Sequence, residues 1–300
     1  MLETSQAPRR IMLIANPVAG GDALARIRQA QESLAARGDR VELLLTDVRG
    51  DAARFACEAK SGEIDLLVAA GGDGTLNEVI NGLAPSAIPL AFIPLGTTNV
   101  FALEAGIPFD IPGACRVALE GAPTPVSLGL AGDTRFLLMA GAGFDAEVVR
   151  RVDLRLKRRL GKLAYVVSGL RVFFGAPFPA LEVVLEDGSR LSGHTVVIGN
   201  GRLYGGRFSL TPDASLTDDI FEVCLLQKPG RLPLLHALLR MVLRLPLEPA
   251  GARLFKAREL WVHGPGVAVQ IDGDDYGELP MSFRVVPGEL VLVMPGPRSS

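Results

Sequence analysis

Three short stretches combine glycine with hydroxyl, amide or carboxylate side chains in a way that suits phosphate chemistry: NPVAGG (residues 16–21), GGDGT (71–75) and PLGTTN (94–99). Glycine costs backbone entropy, so clusters of it mark places where φ must be positive or where another molecule must approach the main chain closely. GGDGT stands between an apolar run, DLLVAA, and a helical pattern, so the turn presents a helix N-terminus, whose unpaired N–H groups and dipole favour an anion. An ordinary strand-to-helix turn capped by Asp73 or Thr75 competes for the same residues. The phosphate reading is favoured because two similar turns recur, and the Thr75 and Thr97 hydroxyls can join the backbone donors. A fourth stretch, QIDGDDYGELP (270–280), crowds Asp272, Asp274 and Asp275 into one turn. A hairpin accounts for the Asp-Gly pair, and a magnesium-nucleotide site is the competing reading, since like charges are better tolerated near a cation.

The elements that must carry these turns follow from hydrophobic period. IMLIA, RVELLLT, DLLVAA and PLAFIP read as buried strands, separated by helical patterns near 22–37 (Leu24, Ile27 and Leu34 on one face), 52–60 and 76–83. Such alternation predicts a parallel sheet with helices on both faces, and ligands in such sheets sit at the carboxyl ends of the strands, where all three glycine turns fall. From residue 125 onward, short strand candidates such as PVSLGLA, RFLLMAGAG, ALEVVLEDG, IFEVCLLQ, ELWVHG and GELVLVMP dominate, interrupted by helical segments near 144–174 and 232–245. The expectation is an α/β nucleotide-binding domain over 1–124 and a β-rich, largely antiparallel domain over 125–300.

Composition narrows the classes. Lys plus Arg number 31 against 33 Asp plus Glu, so no global basic field points to nucleic acid. Cys57, Cys115 and Cys224 lie far apart without metal or redox spacing, which fits a reducing compartment, and the first ten residues lack the apolar core of a secretory signal. No charge-free apolar run is long enough to span a bilayer, so a cytoplasmic protein is expected.

Taken together, NPVAGG, GGDGTLNEVINGL, PLGTTNVFA, GNGRLYGGRFSLTPDASLTDD and IDGD occur in an order that resembles the diacylglycerol kinase catalytic-domain family, which includes bacterial lipid kinases and sphingosine and ceramide kinases. The resemblance implies an ATP-dependent lipid kinase that uses Mg²⁺ and meets a lipid substrate at a membrane surface, with a homodimer left open. It implies ATP contacts from Asn16, Pro17, Val18, Ala19, Gly20, Thr46, Gly72, Asp73, Gly74, Thr75, Leu76, Asn77, Glu78 and Thr97, and a role for Asp73 in handling phosphates and metal. It also implies a structural magnesium held by Asp219 with the carbonyls of Leu216 and Phe221. Asp274 takes the place of the family's proton-accepting glutamate, one methylene shorter; Ile220 stands where a glycine is usual, and Val100 where many members have aspartate. A NAD kinase-like enzyme and a nucleotide- or lipid-binding protein without turnover are the alternatives.

Other signals are weaker. GAGFDA (141–146) fits a dinucleotide fingerprint, but no acid ends a second strand about twenty residues on. The basic segment 150–162 reads either as a solvated face or as a surface for anionic lipid or ATP phosphates. RLPLLHALLRMVLRL (231–245) offers the same choice, and core packing is favoured. His194, His236 and His263 lack metal-ligand spacing and read as structural.

Overall fold

The computed structural model describes residues 7–152, 163–175 and 178–296. The chain divides into two compact units, Met1–Val126 with Glu289–Ser300, and Ser127–Gly288.

Unit 1 begins with β1 (Arg10–Ala15), α1 (Ala23–Ala35), β2 (Arg40–Leu45), α2 (Asp51–Ala59), β3 (Leu66–Gly71), α3 (Asp73–Leu83) and β4 (Pro89–Pro94), then continues through α4 (Val100–Ala105) and α5 (Ile111–Glu120). The strands run parallel in the order β2-β1-β3-β4, and the end of β16 (Met281–Met294) adds a fifth beside β4, with Val291 opposite Pro89. Every residue of β3 is buried, as a central strand covered on both faces requires. The order reverses between β1 and β3, since right-handed crossovers carry the chain first to one side of β1 and then to the other. The covering helices pack in two pairs, α1 with α5 and α2 with α3. On α1 the buried stripe is Ala23, Ile27, Ala30 and Leu34. Leu24, expected on that face, is exposed, and Ala23, one position earlier, takes its place in the buried stripe.

Unit 2 is built from β5 (Ala122–Ala131), which begins in unit 1, then β6 (Thr134–Phe136), β7 (Met139–Gly143), α6 (Phe144–Arg150), α7 (Leu163–Gly175), β8 (Leu181–Leu185), β9 (Arg190–Gly193) and β10 (Thr195–Gly199). It continues with β11 (Phe221–Leu226), α8 (Arg231–Val242), β12 (Ala252–Ala257), β13 (Glu259–His263), β14 (Ala268–Ile271) and β15 (Asp274–Glu278) before β16. One antiparallel sheet runs β12-β11-β10-β7-β14-β15; in the other, β13 lies between β16 and β8, with β9 beyond. Val183, Leu260 and Phe283 of the second sheet share one core with Val196, Val223 and Val269 of the first, so the two sheets pack face to face. β13 shows why: Leu260 and Val262 alternate inward while Trp261 faces out. β10 is buried on both faces because Val197 turns away from that core to join Cys224 and Met241 of α8.

Candidate functional site

At the carboxyl edge of the parallel sheet, the three glycine turns are tied together by hydrogen bonds. The Asn16 N–H donates to the Ala70 carbonyl at 2.9 Å, its side-chain amide donates to the Thr75 hydroxyl at 3.4 Å, and its Oδ1 accepts the Val18 N–H at 3.0 Å. Pro17, Val18, Ala19 and Gly20 therefore form a small loop pinned at its root, closed by Ala19 N–H to the Asn16 carbonyl at 3.2 Å. Gly20 has φ +86°, and a Cβ there would lie 2.6 Å from the Leu95 carbonyl oxygen, so glycine is required twice over. The Leu95 and Gly96 N–H groups both donate to the Gly71 carbonyl, at 2.8 and 3.1 Å. Gly72 and Gly96 meet main chain to main chain: a Cβ on Gly96 would sit 2.7 Å from Gly72 Cα.

α3 starts from Gly72 with no side-chain cap. Asp73 caps its neighbour instead: its two carboxylate oxygens accept the Val100 and Phe101 N–H groups of α4, at 3.0 and 3.2 Å. Burial pushes its carboxyl above the ordinary range, against those two N–H donors. Of the other expected nucleotide contacts, Thr46 donates its N–H to the Ala15 carbonyl at 3.0 Å and so sits beside the end of β1, while Thr97 is exposed in the third turn. Asn77 holds Asn81 on the same helix, and Glu78 accepts the Gly50 N–H at 3.0 Å, fixing the entry to α2. Leu76 is buried, so only its main chain can meet a ligand. Arg26 was not singled out from the sequence, yet its guanidinium donates to the Pro94 and Leu95 carbonyls, at 2.9 and 3.2 Å, and holds the third turn from α1. A lone arginine on a helix face carries no signal that could have marked it.

In unit 2, Asp272 and Gly273 have φ of +47° and +84°, the signature of a two-residue type I′ hairpin between β14 and β15. The hairpin reading of that Asp-Gly pair therefore holds. Asp272 also accepts three N–H groups, from Leu137 at 2.7 Å, Leu138 at 2.9 Å and Met139 at 3.0 Å, which anchors the turn to the start of β7. Asp274 is the first residue of β15, opposite Ile271. Behind the turn, fully buried Gln270 accepts the Gly273 N–H at 2.9 Å and donates to the Asp145 carboxylate at 3.1 Å. Asp145 is itself buried, its other oxygen has no hydrogen-bond partner, and burial pushes its carboxyl up to about 6 against the Gln270 hydrogen bond. Asp145 lies in GAGFDA. Gly141 is small because a Cβ would sit on the Asp145 carboxylate, and β7 runs antiparallel to both neighbours, which excludes the dinucleotide reading. Arg150 spans β15, pairing with Asp275 at 3.4 Å and Glu278 at 2.9 Å.

Asp219, Leu216 and Phe221 lie in unit 2 as well. The Ser127 hydroxyl donates to Asp219 Oδ1 at 2.8 Å and the Ser127 N–H donates to the Leu216 carbonyl at 2.8 Å. One serine thus orients two of the three groups expected to hold magnesium. The second Asp219 oxygen and the remaining lone pair of the Leu216 carbonyl are still available to a cation.

Residues 10–131 match the diacylglycerol kinase catalytic domain, and residues 139–294 match the YegS C-terminal NAD kinase beta sandwich-like domain. A Pseudomonas putida protein described as "probable lipid kinase YegS-like" is 36% identical over 278 residues, 90% of each chain. A diacylglycerol kinase of Bacillus subtilis is 32% identical over 96% of this chain and 97% of its own. A diacylglycerol kinase crystal structure from Bacillus anthracis superposes with a TM-score of 0.80 at 26% identity, covering 96% of this chain and 98% of that one. An NAD kinase from Archaeoglobus fulgidus, at 14% identity and a TM-score of 0.50, shares the fold alone. With both of its halves matched and relatives similar along nearly its whole length, the chain belongs to the diacylglycerol kinase catalytic-domain family.

Proposed function

We propose that this family member is an ATP-dependent lipid kinase, moving the γ-phosphoryl group of ATP to a hydroxyl of a lipid such as diacylglycerol. The observation that carries the reading is the uncapped start of α3 at the switch point between β1 and β3, flanked by the pinned 16–20 loop and by Gly96 in main-chain contact with Gly72. Main-chain donors there suit phosphate oxygens, with Asn16 to Gly20, Thr46, Gly72 to Glu78 and Thr97 around the nucleotide. Mg²⁺ arriving with the nucleotide would offset charge on those oxygens. Asp73 keeps the second and third turns in register through α4, and Asp274 accepts the hydroxyl proton. The lipid oxygen forms its bond to the γ-phosphorus as the bond to the bridging oxygen breaks, and ADP leaves with that electron pair.

Purified protein is incubated with labelled ATP, diacylglycerol in mixed micelles, other lipids, sugars and NAD. Label is expected in a lipid; label in NAD, or none in any lipid, overturns the reading. A general base contributes about 10²–10⁴-fold. Asp274→Asn should therefore lower turnover within that range at unchanged ATP affinity, and Asp274→Glu should stay active. Parent turnover in Asp274→Asn would place the base elsewhere. An inactive parent made active by Asp274→Glu would favour a binding protein.

A further inference from the structure

We propose that the outward face of α8, continued by the end of α7, is a docking surface for an anionic lipid bilayer. α8 has two opposed stripes. Leu234, Ala237 and Met241 are buried, and Met241 packs on β10 and β11 through Val197 and Cys224. Leu232 (80% exposed), Leu235 (53%), Leu239 (54%) and Val242 (55%) face solvent at i, i+3, i+7 and i+10 spacing. The expectation of simple core packing for this segment therefore holds for one face only. Arg231 donates to the carbonyls of Phe173 and Phe174, both at 2.8 Å, which brings the end of α7, where Leu170 and Phe174 are exposed, to the N-terminal end of α8. Of the ten large apolar side chains exposed in unit 2 among the described residues, all but Phe208 and Trp261 belong to these two helices or to Leu243 and Leu245 just beyond α8. Such clustering marks an interaction surface rather than scattered exposure.

Charge selects the occupant. Lys228, Arg231, Arg240 and Arg244 accompany the stripe, and no Asp or Glu occurs from 223 to 247 or from 163 to 175. A leucine stripe with basic flanks and no acid is the pattern of a helix lying in the plane of an anionic interface. A second copy of the chain fits less well, because a two-fold contact would set arginine against arginine with no carboxylate between them. Among the described residues no helix is long and apolar enough to cross a membrane, so α8 would lie on the bilayer. The inference deepens the lipid-kinase reading and rests on it for its purpose, since a membrane-borne substrate requires the enzyme to settle at the interface.

The test is co-sedimentation of the full chain, without nucleotide, with phosphatidylcholine vesicles containing phosphatidylglycerol or none, alongside phosphorylation of a water-soluble short-chain diacylglycerol without vesicles. Parent protein should bind the anionic vesicles and release them at high salt. Leu235→Ser with Leu239→Ser should weaken binding at least tenfold while the melting temperature and the soluble-substrate activity stay at parent values. Arg240→Gln with Arg244→Gln should flatten the salt dependence. Absent binding by the parent, equal binding to uncharged vesicles, or unchanged binding by the leucine variant overturns the inference. A parent dimer that the leucine variant turns into monomer, with no vesicle binding, overturns it in favour of self-association. Vesicle binding lost with the leucines in a protein that phosphorylates no lipid would keep the docking surface and sink the kinase reading instead.

Discussion

Gly72 and Gly96 touch, yet they should respond differently to the same methyl group. A Cβ on Gly72 meets Gly96 Cα at 3.6 Å, ordinary contact, and its φ of −94° suits alanine. A Cβ on Gly96 meets Gly72 Cα at 2.7 Å, where two backbones would have to part. Gly72→Ala should keep its melting temperature and lose ATP affinity in calorimetry, whereas Gly96→Ala should lose about 1–3 kcal/mol of stability, as overpacked sites do. Unchanged ATP affinity in folded Gly72→Ala would remove the phosphate cradle. Asp145 allows a second residue-scale prediction. Its carboxyl moves from the ordinary 3.8 to about 6. The stability that accompanies its protonated form is therefore present in full below pH 3.8 and is lost as pH rises through about 6, a difference of about 3 kcal/mol. Asp145→Asn, which keeps an acceptor for Gln270 without titrating, should flatten the stability profile between pH 4 and 6 in denaturant titrations. An unaltered profile would show that another group dominates there.

At the scale of elements, side chains from one turn hold the start or end of another. Asp73, in the first turn of α3, caps α4; removing it leaves the Val100 and Phe101 N–H groups without those acceptors. Asp73→Ala should cost about 1–2 kcal/mol and loosen the third glycine turn, lowering ATP affinity at the same time. Thermal melts and calorimetry together check this, since loss of affinity at full stability would assign Asp73 to the phosphates alone. Ser127 plays the corresponding part between β5 and the 216–219 segment. With the Asp219 carboxylate and the Leu216 carbonyl so oriented as ligands, the nucleotide-free protein should melt at a higher temperature with Mg²⁺ than with chelator. Equal melting temperatures would remove the structural ion, because a ligand of the folded state raises the melting temperature by linkage.

At the scale of the molecule, the chain leaves unit 1 within β5 and returns to it within β16. The returning segment lies beside β4 and buries Leu290, Leu292 and Val293. Each such side chain is worth about 1.5–3 kcal/mol, a total comparable to the whole stability of a small domain. Ending the chain at Gly288 should therefore lower the melting temperature steeply and expose β4 as an edge. A truncated chain with the parent's circular-dichroism melt would show that the last strand is dispensable.

Much of this was legible in the residues themselves. The buried run LLVAA forms a central parallel strand, Gly71 has no room for a Cβ beside Thr75, and Asp272-Gly273 forms a tight hairpin, because local sterics and burial decide each of these. β12, with Arg253 and Lys256 among its apolar residues, shows no clean alternation, and Pro287-Gly288 reads as a break although β16 continues through it. That pair falls between residues paired with β13 and residues paired with β4, a change of partner that only long-range pairing defines. The same limit applies to the site. The sequence by itself determined that the glycine turns fall at the carboxyl ends of parallel strands and which family owns the pattern. Only the tertiary structure decided that Asp73 caps α4, that Asp145 and Gln270 stand behind the Asp274 hairpin, that Ser127 hydrogen-bonds Asp219 and Leu216, and that one face of α8 stays outside the core. Each of these is a contact between residues far apart in the chain, and neither periodicity nor spacing carries information about which distant groups meet.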